Sequence, residues 1–247
     1  MRFVVFGGTT EGRELSQTLA RLGAEVTVCV ATAYGSEQQG QEPGVDTRTG
    51  RLSAEEMVRV LRGAELCVDA THPYATGVTA AAREACAGAG VPYRRLLRAG
   101  SRSEAGETVV EDAAAAAAYL AEQEGNILLT TGVKDLPAYA GLEPQRLHPR
   151  ILPSHSGLDA CEALRIPHRN IIAMQGPFSR ELNLALIRQF DIRFLVTKDG
   201  GGPGGFEEKR QAARQAGVTM VIIRRPEEQG SSYEDVLAEC RRLLAQS

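Results

Sequence analysis

The sequence predicts an α/β protein of doubly wound parallel sheets. Short β-branched runs bounded by turn residues alternate with longer helical patterns along the whole chain, and that alternation implies parallel strands covered on both faces. The 43% hydrophobic and 24% charged content of the 247 residues is that of a soluble globular protein with a full core.

Taken in order, "FVVF" (3–6) is a strand that gives way at a glycine turn to the helical pattern "EGRELSQTLARLG". "EVTVCV" (25–30) is the second strand, followed by "SAEEMVRVLRG"; "LCVDA" (66–70) is the third, followed by "ATGVTAAAREACAGAG". "PYRRLL" (92–97) precedes "EDAAAAAAYLAEQEG", where Ala113 to Ala118 read as helix because alanine is the best helix former and Glu111 with Asp112 complements the helix start. "NILLTTG" (126–132), "NIIAM" (170–174), "RFLVTK" (193–198) and "TMVIIR" (219–224) alternate with "SGLDACEALRI", "SRELNLALIRQF", "GFEEKRQAARQAG" and "SYEDVLAECRRLLAQ". The pattern restarts at "EQEGN", so the expected division is residues 1–123 and residues 124–247, each doubly wound.

The formal charge of −3 and pI near 5.9 provide no overall basic field. Nucleic acid and anionic membrane surfaces are therefore not the expected partners, and an anionic ligand must be met by local donors. Cys29, Cys67, Cys86, Cys161 and Cys240 are odd in number and contain no C-x-x-C pair, which argues against a disulfide framework or zinc site. "MRFVVFGG" enters a strand directly, without a signal-peptide pattern, and no stretch approaches roughly 18 apolar residues. The expected location is the cytoplasm.

Several strand ends carry chemistry. "VVFGGTTEGRE" (4–14) is a strand, a glycine turn and a helix, the arrangement that receives phosphate on free N–H groups at a positive helix end. A dinucleotide fingerprint from Gly7 needs glycine where Thr9 stands, and a Walker loop needs Lys and Ser/Thr where Arg13 and Glu14 stand. What remains is a turn of nonstandard spelling with Thr9 and Thr10 as extra donors; a plain threonine-capped turn uses the same residues. "VCVATAYG" (28–35) lacks the acid that meets an NAD ribose, so NADPH and NADH both stay open. In "VDATHPYATG" (68–77), one reading has Thr71 or Asp69 as a helix cap with Pro73 in the first turn; the other points His72 and Tyr74 into the crevice as donors, one of them of a proton.

Three later turns follow buried strands and, in a parallel sheet, share a rim: Thr131, Gly132 and Lys134; Gln175, Gly176 and Ser179; Thr197, Lys198 and Asp199. The last opens "TKDGGGPGGFEEK" (197–209), whose five glycines let backbone touch a ligand and the loop move over it; a linker is disfavoured because strand and helix patterns bracket it. In "RILPSHSGLDACEAL" Ser154 or Ser156 caps a helix, and His148, His155 and His168 lack metal-ligand spacing. Arg94, Arg95, Arg98 and Arg102 form a basic stretch, either a solvated face or a partner for carboxylates.

Together "GGTTEGRELSQTL", "DATHPYA", "GVPYRRLLR", "TTGVKDL", "RILP", "MQGPFSRELN", "TKDGGGPGGFEEK" and the final "RRP" resemble the precorrin-6A reductase family of cobalamin (vitamin B12) biosynthesis, including its cobalt-precorrin-6A members. The resemblance spans nearly the whole chain, with Gly201 standing where a common family form of the loop has serine. It implies two Rossmann-like domains flanking a cleft, and reduction by NADPH or NADH of one carbon–carbon double bond in a carboxylate-rich tetrapyrrole.

Carried onto this sequence, the resemblance implies that Gly8, Thr9, Thr10, Gly12 and Arg13, with Thr131 and Gly132, hold the cofactor. Lys134, Gln175, Ser179, Arg180, Gly201 and Gly202 then meet the substrate, and Lys198, His72 and Tyr74 are the catalytic candidates; no protein-bound metal is called for. A short-chain dehydrogenase needs Tyr-x-x-x-Lys, which none of the six tyrosines begins. A noncatalytic nucleotide- or tetrapyrrole-binding module would use the same loops without turnover.

Overall fold

The computed structural model describes residues 1–97, 104, 106–200 and 205–246. The chain forms two compact units, Met1–Ala99 with Pro226–Ser247, and Gly100–Arg225. In the first, β1 (Arg2–Phe6), β2 (Glu25–Val30), β3 (Val45–Thr49), β4 (Leu66–Asp69) and β5 (Tyr93–Arg95) form a parallel sheet of order β3-β2-β1-β4-β5. Its helices are α1 (Thr10–Arg21), α2 (Ala33–Gln39), α3 (Ala54–Leu61), α4 (Thr76–Ala89) and, from the far end of the chain, α9 (Tyr233–Ala245).

The two-residue alternation of β1 shows why helices are needed on both faces. Phe3 and Val5 pack with Leu15 and Leu19 of α1 and with Val236 and Cys240 of α9, whereas Val4 and Phe6 pack with Met57 and Leu61 of α3 and Ala82 and Cys86 of α4. All five cysteines are buried and free, as small apolar residues.

The second unit holds β6 (Glu107–Val110), β7 (Asn126–Leu129), β8 (Leu147–Ile151), β9 (Ile172–Ala173), β10 (Ile192–Lys198) and β11 (Thr219–Ile223), parallel and ordered β6-β11-β10-β7-β8-β9. Its helices are α5 (Ala113–Ala121), α6 (His155–Ala163), α7 (Arg180–Gln189) and α8 (Phe206–Ala216). Beneath α7 and α8 lies a core of Leu128, Ile172, Leu184, Ile187, Leu195, Phe206 and Ala213. The alanine run is helical as expected, with Asp112 as its cap accepting from Ala115 N at 2.8 Å.

The division differs from the expected cut after residue 123. β6 pairs with β11, more than a hundred residues away in sequence, and α9 seals the first unit rather than the second. A restart in pattern marks a new strand but not the sheet it joins, because edge pairing is chosen by long-range hydrogen bonds. Three strands escaped the sequence reading for local reasons: β3 and β6 are sheet edges of mixed polarity, and β8 carries Pro149, which argues against a strand until both neighbours are known. α2, only seven residues, was likewise unread.

β8 also buries His148, 5% exposed, with its ring 4.9 Å from that of Phe190 and neither ring nitrogen hydrogen-bonded. Burial lowers its affinity for a proton. A depressed imidazole adds stability above its unfolded pKa of about 6.5 that is lost as pH falls through the lower folded value. His148→Phe is therefore expected to flatten the loss of urea stability between about pH 7 and pH 5, and an unchanged pH slope would show that other groups carry the acid sensitivity.

Candidate functional site

Because every strand within a unit is parallel to its neighbours, the turns at the C-terminal strand ends share one rim per unit, where open α/β sheets bind ligands. In the first unit the rim begins at β1. Gly8 has φ 141°, a conformation that L side chains rarely adopt, and Gly12 packs so closely on β4 that a Cβ there would lie 2.7 Å from Ala70 Cβ. Thr9 caps α1: its Oγ1 accepts from Gly12 N at 3.2 Å and donates to Ala70 O at 2.8 Å. Thr10 opens the helix, and Arg13 reaches across to donate to Gln38 O at 3.2 Å. Thr9 and Gly12 thus fasten the glycine turn to the end of β4.

The β4 turn is itself held by a buried network. Asp69, fully buried, accepts from Thr71 N (3.0 Å), Thr71 Oγ1 (2.7 Å), Tyr93 OH (2.8 Å) and Arg95 Nη1 (3.1 Å). Arg95, 3% exposed, also donates to Asp69 O, to Thr71 O at 3.0 Å and to Glu228 at 2.8 Å. Burial, reinforced by the Asp69 charge, pushes the Tyr93 phenol up.

The cap reading for this turn does not hold. α4 starts at Thr76 behind Ala75 with no side-chain cap, because Thr71 and Asp69 are committed to the network. His72 and Tyr74 are half-buried with ring centroids 5.5 Å apart, and the His72 backbone N is the nearest atom to a Cβ built on Gly8, at 4.0 Å. The solvated-face reading of the arginines fails for Arg95, and Arg94 pairs with Glu239 at 2.8 Å; Arg98 and Arg102 lie outside the described residues.

In the second unit, Lys198 ends β10 with Nζ 2.8 Å from Asp135 Oδ2, in the 3-10 turn Val133–Tyr139 that follows β7. Thr131 is buried and Gly132, at φ 86°, enters that turn, from which Lys134 projects exposed. Gln175 is exposed beyond β9, Ser179 caps α7 by accepting from Leu182 N at 3.2 Å, and Arg180 pairs with Glu181 at 2.7 Å. Gly201 and Gly202 lie outside the described residues. Ser154 is the cap of α6, and His168 sits exposed 3.0 Å from Glu162. Among the described residues no cluster of His, Cys, Asp or Glu could hold a metal ion, and no helix is long and apolar enough to cross a membrane.

Reading the sequence missed Asp135, Arg150, Lys209 and the pairing of Asp69 with Arg95. The available signal was position: a charged residue inside an apolar strand run, such as Asp69 in "LCVDA", must be paired when the strand is buried. Removing Asp69 leaves the buried donors of Thr71, Tyr93 and Arg95 without their acceptor, so Asp69→Ala is expected to cost about 3–5 kcal/mol in urea unfolding; a loss within experimental error would remove the network from the account of this rim.

The profile of the family described as Precorrin-6x reductase CbiJ/CobK matches residues 2–241. Similar proteins include the cobalt-precorrin-6A reductase of Priestia megaterium, 34% identical over 238 residues and covering 93% of each chain. The precorrin-6A reductase of Rhodobacter capsulatus is 31% identical over 227 residues, covering 91% of this chain and 88% of its own. Among solved structures, CobK precorrin-6A reductase superposes with a TM-score of 0.78 at 29% identity, covering 98% of this chain and 97% of that one. A match to the family over nearly all of its length, together with relatives above 30% identity, shows that this chain belongs to the precorrin-6x reductase CbiJ/CobK family.

Proposed function

We propose that this chain reduces one carbon–carbon double bond of precorrin-6A or cobalt-precorrin-6A, with NADPH or NADH as reductant, as a step of cobalamin biosynthesis. The family and the names of its relatives support the reaction. The observation that carries the cofactor assignment is the β1 turn: Gly8 at positive φ and Gly12 against Ala70 keep side chains away from the start of α1. The first N–H groups of a helix point at such an opening and its dipole favours phosphate.

In this reading Gly8, Thr9, Thr10, Gly12 and Arg13 hold the dinucleotide, and Thr131 and Gly132 are the second unit's own candidates for cofactor contact. The bound nicotinamide supplies a hydride to one carbon of the double bond, and the neighbouring carbon receives a proton, leaving the dihydro product and oxidised cofactor. Lys134, Gln175, Ser179, Arg180, Gly201 and Gly202 contact the macrocycle and its carboxylates. Lys198, oriented by Asp135, binds a carboxylate or supplies the proton, and His72 and Tyr74 offer polar hydrogens beside the cofactor turn.

The test is loss of reduced-nicotinamide absorbance when precorrin-6A or its cobalt form is added, with each cofactor in turn. Binding without oxidation would favour a noncatalytic module. Lys198→Ala is expected to lower kcat/KM by about two orders of magnitude with little change in urea midpoint. A lost dependence of kcat on pH would mark proton supply, and a raised KM with kcat retained would mark carboxylate binding. Unchanged kinetics would remove Lys198 from the mechanism. Arg13→Ala is expected to weaken cofactor binding by about tenfold, roughly one charge-assisted hydrogen bond, and unaltered affinity would place the phosphates elsewhere.

A further inference from the structure

The first sheet ends in an edge whose charge pattern is complementary to itself. β3 closes the order β3-β2-β1-β4-β5, and among the described residues it pairs with β2 alone, Asp46 beside Thr27 and Arg48 beside Cys29. Val26 N donates to Gly44 O at 3.0 Å and Gly50 N donates to Val30 O at 2.9 Å, so alternate residues of the strand, Asp46 and Arg48 included, turn their peptide groups to β2. Those of Val45, Thr47 and Thr49 therefore face away from the sheet. The Val45 N–H turns back to Glu42 O at 3.1 Å, but among the described residues no hydrogen bond reaches the outward N–H of Thr47 or Thr49, or the carbonyls of Val45 and Thr47.

Side chains alternate along the same strand. Asp46 and Arg48 share one face, 3.5 Å apart, with 67% and 54% of their side chains exposed. The other face carries Val45, Thr47 and Thr49, which border an open groove of about 1110 Å³ beside α2. An incoming strand has room there for its own side chains. Of the acids lining the groove, Glu42 is held by Arg21 at 2.9 Å and Glu37 stays in solvent.

An open strand edge is a template for another strand, and charge decides which strand fits. When two copies of one edge pair antiparallel about a two-fold axis, the register follows from the residue that lies opposite itself. With Asp46 or Arg48 on the axis, like charges face each other. With Thr47 on the axis, Asp46 of each copy lies opposite Arg48 of the other, and Val45 lies opposite Thr49. That register suits the backbone too: the two Thr47 residues exchange N–H and C=O, and each Thr49 N–H meets a Val45 carbonyl. We propose that β3 is a self-association edge, through which two copies of this chain join antiparallel with Thr47 on the two-fold axis and extend one sheet across both. The association stands apart from the reductase reading, because α2 and β3 carry no residue assigned there to cofactor or substrate.

The experiment is sedimentation velocity of the full chain at low salt from about 2 to 200 μM, a range that brackets the affinity of small interfaces. A monomer–dimer equilibrium is expected. Arg48→Asp and Asp46→Arg each set like charges across the axis, and each is expected to raise Kd by about tenfold or more. An equimolar mixture of these two variants is expected to regain the dimer, since an edge with two positive charges then meets an edge with two negative ones. Thr47→Pro removes an outward N–H and leaves the ladder to β2 intact, so the dimer should be lost while far-UV circular dichroism is unchanged. Should Thr47→Pro not fold, the mixture of charge variants decides. A chain that stays monomeric at the highest concentration, a dimer that survives Thr47→Pro, or folded charge variants that fail to associate when mixed overturns the proposal.

Discussion

The first unit turns on one buried ion pair. A carboxylate with no exposure, such as Asp69, is tolerated only when its oxygens are engaged, and here a guanidinium, a phenol, a hydroxyl and a backbone N–H engage them. Each partner comes from a different stretch. Arg95 and Tyr93 bring β5 to β4, Thr71 fixes the path of the turn leading to His72, and Glu228 draws the returning C-terminal segment onto Arg95. That segment then places α9 over Phe3 and Val5, closing the core. Charge satisfaction at one strand end therefore organises the turn, the sheet edge and the last helix together.

The same network reaches the glycine turn through one residue, Ala70. Ala70 follows Asp69 directly, and its carbonyl accepts the Thr9 hydroxyl while its methyl group sets the space available at Gly12. A rigid β4 end thus supports a β1 turn whose own residues are too small to stiffen it. In the second unit rigidity comes from different chemistry: the Lys198–Asp135 pair is partly exposed and screened, whereas Arg150 is clamped by an amide and an aromatic ring. An exposed pair can exchange partners at little cost, while a clamped guanidinium presents a fixed donor geometry.

The main strands were legible because β-branched apolar runs such as "EVTVCV" and "TMVII" are long enough to show themselves without context. The turns at Thr9, Lys198 and Ser179 were legible as polar residues directly after such runs. β8 was not, since Pro149 within it is tolerated only by the pairing it finds between β7 and β9. The capping role expected of Thr71 failed because a hydroxyl beside a buried carboxylate is better used there than on a helix end. Arg95 looked like part of a surface basic stretch for the same kind of reason: Arg94 beside it is partly exposed and pairs with Glu239, and only the sheet turns Arg95 inward.

By itself the sequence determined the α/β class, the order of most strands and helices, the polar turns at the strand ends and the family resemblance, because period, propensity and turn chemistry act over a few residues. Tertiary structure alone decided that β6 joins β11, that α9 returns to the first sheet, and that Asp69 meets Arg95 and Lys209 meets Thr197. Those pairings depend on which buried charges and unpaired strand edges are brought within a few ångströms of one another, and no local pattern encodes that distance.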